Sequence, residues 1–176
     1  HGEPLKPFDL DCGTVPDLLP VLSTMATFAE GTSRLYNVRH IRLKETDRVA
    51  AMLQLNKLGA HLEQGEDELR ITGLDHSEQL HGADLSSFND HRVLMSLAVA
   101  ATRADSPSTL TYPRAYRISY PTFLEEMNRI GMNMSIVSSH TESAIASTAS
   151  PEAAQKPEPS RWNSRRDIPE GVDLLS

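Results

Sequence analysis

The sequence predicts an α/β domain built on one repeated unit, and three observations predict it. Helical and extended patterns alternate over residues 15–137, and the order strand, helix, strand, helix and paired strands begins a second time. The second pass also carries a helix apolar on nearly every side, which other elements have to cover.

Leu18, Leu19, Leu22, Met25, Ala26 and Ala29 recur at helical spacing, so residues 15–29 read as a helix with Pro16 in its first turn and Gly31 past its end. A strand follows over 33–38. Val49, Ala50, Met52, Leu53 and Leu58 mark the buried side of a helix over 46–58, which Gly59 stops. Two extended pieces, 60–63 and 69–72, flank the polar turn Gln64-Gly65-Glu66-Asp67 and read as a hairpin. The second pass gives a helix over 89–101, in which Val93, Leu94, Met95, Leu97, Ala98, Val99, Ala100 and Ala101 leave little polar face. A strand over 108–112, a helix over 120–130 stopped by Gly131 and a strand over 132–137 complete it. From residue 138 to 176 Ser, Thr, Ala, Pro and Glu dominate, so a disordered or low-complexity tail is expected there. Trp162 with Arg161, Arg165 and Arg166 could form a docking motif, but the composition favours an unstructured extension.

A chain of 176 residues that is 39% hydrophobic holds one ordinary domain with a real core, here 1–137. The net charge of −7 argues against a generic nucleic-acid or acidic-membrane partner. The lone Cys12 excludes an intramolecular disulfide and a cysteine-rich zinc site, in keeping with a reducing compartment. No apolar run is long enough to span a bilayer, and the first residues lack the features of a signal peptide. Without an initiator methionine the chain reads as a piece of something longer.

Two charged clusters open helices. Lys44-Glu45-Thr46-Asp47-Arg48 precedes the second helix, and Asn89-Asp90-His91-Arg92 precedes the third. Cations beside unpaired helix N–H groups make a site for phosphate or carboxylate, so the two clusters are expected to form two walls of one anion pocket.

These clusters, with Val15-Pro16-Asp17-Leu18, Phe28-Ala29-Glu30-Gly31-Thr32-Ser33, Lys57-Leu58-Gly59-Ala60 and Ser119-Tyr120-Pro121-Thr122-Phe123, stand in an order and spacing that resembles the C-terminal part of the EPSP synthase family over roughly residues 2–137. The resemblance implies part of an inside-out α/β domain of repeated βαβαββ units, with helices inside and sheets outside. It implies transfer of the enolpyruvyl group of phosphoenolpyruvate to the 5-hydroxyl of shikimate 3-phosphate, with release of phosphate and with no metal or organic cofactor. Asp17 is similar in position to the family's acid/base aspartate, Lys44 to a lysine near the reacting hydroxyl, and Glu45 to the glutamate proposed to protonate the enol carbon. Arg48 and Arg92 resemble the arginines that grip phosphoenolpyruvate, a task suited to the guanidinium fork. Alone, either arginine would read as a surface ion pair, with Asp47 or Asp90. Thr46 and Asp47 read as capping and orienting residues, His91 as a structural histidine, and His40 stands where some members carry a substrate-contacting asparagine. Ile118 replaces a family lysine. Arg117, one residue earlier on a strand or extended turn, would face the other way unless the backbone bulges there.

The resemblance also implies a second, N-terminal domain that these residues do not contain, so the isolated chain is expected to be inactive. A cytoplasmic enzyme is expected, or an organellar one if a transit segment lies upstream. Three other readings stay open: an enolpyruvyl transferase acting on a UDP-amino sugar, a noncatalytic relative serving as a binding module, and a truncated product whose tail was never selected.

Overall fold

The computed structural model describes residues 3–137 and 171–175. Two β-α-β-α-β-β units follow one another. The first contains β1 (Asp9–Asp11), α1 (Leu19–Thr27), β2 (Thr32–Tyr36), α2 (Arg48–Met52), β3 (His61–Gln64) and β4 (Glu68–Thr72). The second contains β5 (Asp84–Ser86), α3 (His91–Ala101), β6 (Ser108–Thr111), α4 (Phe123–Arg129), β7 (Asn133–Val137) and β8 (Gly171–Leu175). Each unit forms its own four-stranded sheet, ordered β1-β2-β4-β3 and β5-β6-β8-β7. In both sheets the first pair is parallel and the other two are antiparallel. Parallel neighbours need a crossover, which α1 and α3 supply.

The two units share their fastenings. The amide of Phe8 donates to the buried Ser33 hydroxyl at 3.1 Å, and that of Ala83 to the buried Ser108 hydroxyl at 3.1 Å. Asn56 grips the backbone of Leu62 in both directions, at 2.9 and 2.7 Å, and Asn128 grips Met134 likewise at 2.8 Å each way. Gly59 and Gly131 end their helical segments at φ 98° and 102°, which costs a residue without a Cβ little.

β2 and β4 bury alternate residues and turn the others to solvent. The core collects Leu35, Leu69 and Ile71 from the first sheet, Leu110 from the second, and Leu19, Met52, Leu55, Leu94 and Leu97 from the helical segments. α1 lies against α3, and the buried Thr24 hydroxyl donates to the Ser96 carbonyl at 3.0 Å. Apolar side chains of this size stabilise by roughly 1.5–3 kcal/mol each when fully buried.

The helix expected over 15–29 opens as a 3₁₀ turn, Pro16–Leu18, with Pro20 in the first turn of α1, where its missing N–H costs nothing. The helix expected over 46–58 is α-helical only through Met52 and tightens to 3₁₀ over Leu53–Leu58 before Gly59. α3 starts at His91 rather than residue 89, because Asp90 caps it. Residues Ala115–Ile118, expected to be extended, form a 3₁₀ turn, so strand alternation does not govern Arg117 and Ile118. The tail expected to lack structure supplies a strand at Gly171–Leu175, because the sheet of the second unit offers pairing partners on both sides there, β6 and β7. The Trp162 and Arg161, Arg165, Arg166 motif lies outside the described residues.

Candidate functional site

Arg48 is the first residue of α2, and its side chain is fully buried. Asp47 caps the helix by accepting the Ala50 amide at 3.0 Å. The guanidinium meets three carboxylates. Its Nε donates to Asp90 Oδ2 at 2.8 Å and its Nη2 reaches Asp90 Oδ1 at 3.5 Å. Nη1 donates to Asp17 Oδ1 at 2.7 Å, and Nη2 to Glu45 Oε2 at 2.8 Å. A guanidinium has five N–H groups in a fixed fork, so the chain's own acids occupy most of it. A buried cation is tolerated on these terms, paired and hydrogen-bonded.

Asp90 does two jobs from one fully buried carboxylate. While it holds Arg48, it also accepts the amides of Arg92 at 2.9 Å and Val93 at 3.3 Å, capping α3. The N-terminus of α3 in one unit is thereby locked to the N-terminus of α2 in the other. Arg92, in the first turn of α3, turns its Nη2 to Asp17 Oδ2 at 3.2 Å. Asp17 thus bridges the two arginines from the 3₁₀ turn before α1.

The segment that delivers Asp90 is tightly held. Phe88 and Asn89 both sit in the left-handed region, at φ 51° and 60°, which costs on the order of 1–3 kcal/mol per residue. The Ser86 hydroxyl accepts the Phe88 amide and the Ser87 hydroxyl accepts the Asn89 amide, each at 3.2 Å, while the Ser87 hydroxyl donates to the Thr111 carbonyl at 2.9 Å. Gln54, just past α2, pairs with the Ser86 backbone as a strand would, donating to its carbonyl at 2.7 Å and accepting its amide at 2.8 Å. Sequence reasoning missed Gln54, since a lone glutamine near a helix end carries no signal that its amide will meet a backbone from another unit.

The cluster holds Lys44, Arg48 and Arg92 against Asp17, Glu45 and Asp90, cations and anions in balance. The hydrogen bond from Arg48, aided by Arg92 and Lys44, outweighs desolvation and keeps the Asp17 carboxyl below the usual carboxylate range. Burial works against the Arg48 charge, but the bonds to Asp90 and Asp17 outweigh it and the guanidinium pKa is raised. Asp17 and Arg92 also line a groove of about 250 Å³ between α1 and α3, whose other walls include Leu18, Val21, Met25, Met95 and Val99.

Asp17, Glu45, Arg48 and Arg92 therefore come together in one bonded network, with exposed Lys44 close enough to act on Asp17. The pairings expected for isolated surface arginines do not form. Asp47 pairs with Arg42 at 3.1 Å, and Asp90 belongs to Arg48 in the interior. His40 lies on the 3₁₀ turn Arg39–Leu43, where its field acts on Asp11. Arg117 lies on the turn Ala115–Ile118, beside Ile118, whose side is 69% exposed. Among the described residues no group of three or more His, Cys, Asp or Glu is arranged to hold a metal ion, and no helix is long and apolar enough to cross a membrane.

The family model of EPSP synthase (3-phosphoshikimate 1-carboxyvinyltransferase) matches residues 1–127. Similar relatives include the 3-phosphoshikimate 1-carboxyvinyltransferase of Methanosarcina acetivorans, 41% identical over 138 residues, with 78% of this chain and 31% of the relative covered. That of Methanococcus maripaludis strain C6 is 38% identical over 134 residues, covering 76% and 30%. The chain thus spans about 30% of the length of the relatives it matches. Among solved structures, EPSP synthase from Acinetobacter baumannii superposes with a TM-score of 0.61 at 34% identity, over 65% of this chain and 27% of that one. The enolpyruvyl transferase NikO from Streptomyces tendae shares the fold at a TM-score of 0.58 and 23% identity, over 74% and 29%.

Proposed function

The chain belongs to the EPSP synthase family, and we propose that it forms one wall of a site transferring the enolpyruvyl group of phosphoenolpyruvate to the 5-hydroxyl of shikimate 3-phosphate, in the cytoplasm. The observation that carries this reading is the meeting of Asp17, Glu45, Asp90 and Arg92 around the buried Arg48. Both substrates are anions with phosphate and carboxylate groups. Arg92, one third exposed, and Lys44, fully on the surface side, are the cations that offer them N–H groups.

The reaction needs a group to take the hydroxyl proton, an acid to protonate the methylene carbon of the enol, and fixed cations for the phosphate that leaves. In this reading Glu45, half exposed at the rim, gives the proton to carbon. Asp17, ionised because of Arg48, orients the attacking hydroxyl as an acceptor, and Lys44 handles its proton. Arg48 acts chiefly as the hub that orients these acids, and it grips phosphoenolpyruvate only as Asp17 or Glu45 releases an N–H. His40 and Arg117 serve as outer substrate contacts. A site open on one side holds neither substrate in reacting geometry, so the remaining two thirds of the family's length are a required partner.

The test joins the full chain, residues 1–176, to the remaining portion of the Methanosarcina acetivorans relative and follows phosphate release from the two substrates. Turnover is expected from the joined protein and not from the isolated chain. Arg92→Ala or Lys44→Ala should lower kcat/KM by about a hundredfold, which corresponds to the loss of one charge-assisted contact made in the transition state. A folded joined protein without turnover would favour the noncatalytic reading, which the apolar, exposed Ile118 also supports.

A further inference from the structure

We propose that Gln54 is a positioning residue for the phosphoenolpyruvate side of the site: it fixes the Arg48 hub and Arg92, cations that arrive on different units, relative to each other. The assignment rests on the function proposed above and adds to it a residue outside the charged network.

Two short segments meet at the site, 48–54 on the helical run of the first unit and 86–90 at the end of β5 in the second. They are joined at both ends. Arg48 Nε meets Asp90 Oδ2 at 2.8 Å. Six residues on, the Gln54 amide donates to the Ser86 carbonyl at 2.7 Å and accepts the Ser86 amide at 2.8 Å. One attachment sets a distance and leaves the segments free to pivot about it, whereas two attachments also set their angle. Arg92 follows Asp90 by two residues on α3, so this angle decides where its guanidinium stands against Arg48 and Asp17.

The Gln54 attachment is built to hold. The residue is buried, and its Nε2 also donates to the Ala51 carbonyl at 3.1 Å, which steadies the amide from its own helix. β5 is the outer strand of its sheet, and Gln54 takes the place of a next strand for Ser86. Between Ser86 and Asp90 lie the left-handed Phe88 and Asn89. Such backbone persists only where its surroundings over-determine it, and the grip on Ser86 and the cap at Asp90 hold its two ends. Lys57 reaches the Asp84 carbonyl at 3.3 Å from the solvent side, but a flexible ammonium stem fixes little.

The repeated unit itself does not call for a glutamine here. Glu126 holds the same offset from Asn128 that Gln54 holds from Asn56, and it pairs with Arg129 on its own helix. Gln54 serves the meeting of the two units.

The test uses Gln54→Met, which keeps the length of the side chain and removes its hydrogen bonds. In the full chain, proton–nitrogen NMR follows exchange of the Arg48 Nε–H, expected to quicken about tenfold or more while the backbone amides keep their folded spectrum. A lower urea midpoint with unchanged Arg48 exchange would mean that Gln54 only stabilises, and it overturns the proposal. In the full chain joined to the remaining portion of the Methanosarcina acetivorans relative, KM for phosphoenolpyruvate is expected to rise about fivefold or more, with kcat and KM for shikimate 3-phosphate within about twofold. An equal rise in both KM values, or a fall in kcat alone, overturns the proposal. Should Gln54→Met not fold, Gln54→Asn, whose amide stops one methylene short of Ser86, carries the same expectations. The exchange is read without turnover, so an inactive joined protein counts against the enzymatic reading and leaves the Arg48 measurement to decide this one.

Discussion

Asp90 illustrates what a single carboxylate can coordinate. One side chain caps α3 and closes the fork of a buried arginine from another unit. Asp90→Ala removes the cap and leaves Arg48 with partners that are half exposed, so it is expected to lower unfolding free energy by about 3–5 kcal/mol, the usual cost of orphaning a buried charge. Asp90→Asn keeps an oxygen for the cap and should cost clearly less. Urea unfolding at pH 7 measures both, and equal losses would show that the charge, not the cap, dominates. The sequence marked a helix start here, as a charged cluster before an apolar run, but placed it at residue 89 and did not single out Asp90 as the cap. It left the burial of Arg48 hidden, since that depends on an acid forty-two positions away.

At the scale of the element, the helices were legible and the shortest strands were not. α3 has apolar residues on almost every side, which periodicity reads directly, whereas β1 and β5 are three residues long and too brief to alternate. The end of the second helical segment was legible as well, because Gly59 takes φ 98°. Gly59→Ala has room for its methyl, with the nearest atom, the Gln79 carbonyl oxygen, at 3.6 Å. The expected loss of about 1–2 kcal/mol is thus a backbone cost of a left-handed L-residue. Thermal unfolding checks it, and an unchanged midpoint would mean that the segment re-forms around another end. The tightening of Leu53–Leu58 to 3₁₀ escaped the sequence because the apolar spacing of one and a half turns fits either helix.

For the whole molecule, acid is the informative variable. Hydrogen bonds from Arg48 to Asp17, from Arg34 to Glu68 and from the Ser106 hydroxyl to Asp105 hold all three carboxyls below their ordinary pKa values. A carboxylate depressed in the folded state adds stability above its unfolded pKa and gives it up as pH falls through the folded value. The urea midpoint is therefore expected to stay level from about pH 8 to 5 and to fall below about pH 4, where such groups begin to take up protons in the unfolded chain. A midpoint level down to about pH 2 would contradict this. The balanced charges of the site were readable as residue types, but their convergence arises only when the two units meet, through the contacts of α1 with α3 and of α2 with α3.

The paired Asn clamps have a bearing on how such molecules can be found. Asn56-Lys57-Leu58-Gly59 and Asn128-Arg129-Ile130-Gly131 are short, and each is followed three positions after its glycine by the residue the asparagine grips, Leu62 or Met134. The repeated unit carries a fingerprint here that is chemical rather than statistical: an amide side chain, a left-handed glycine and a gripped apolar residue at fixed offsets. A pattern search built on those three marks should detect sister modules whose remaining letters have drifted past recognition.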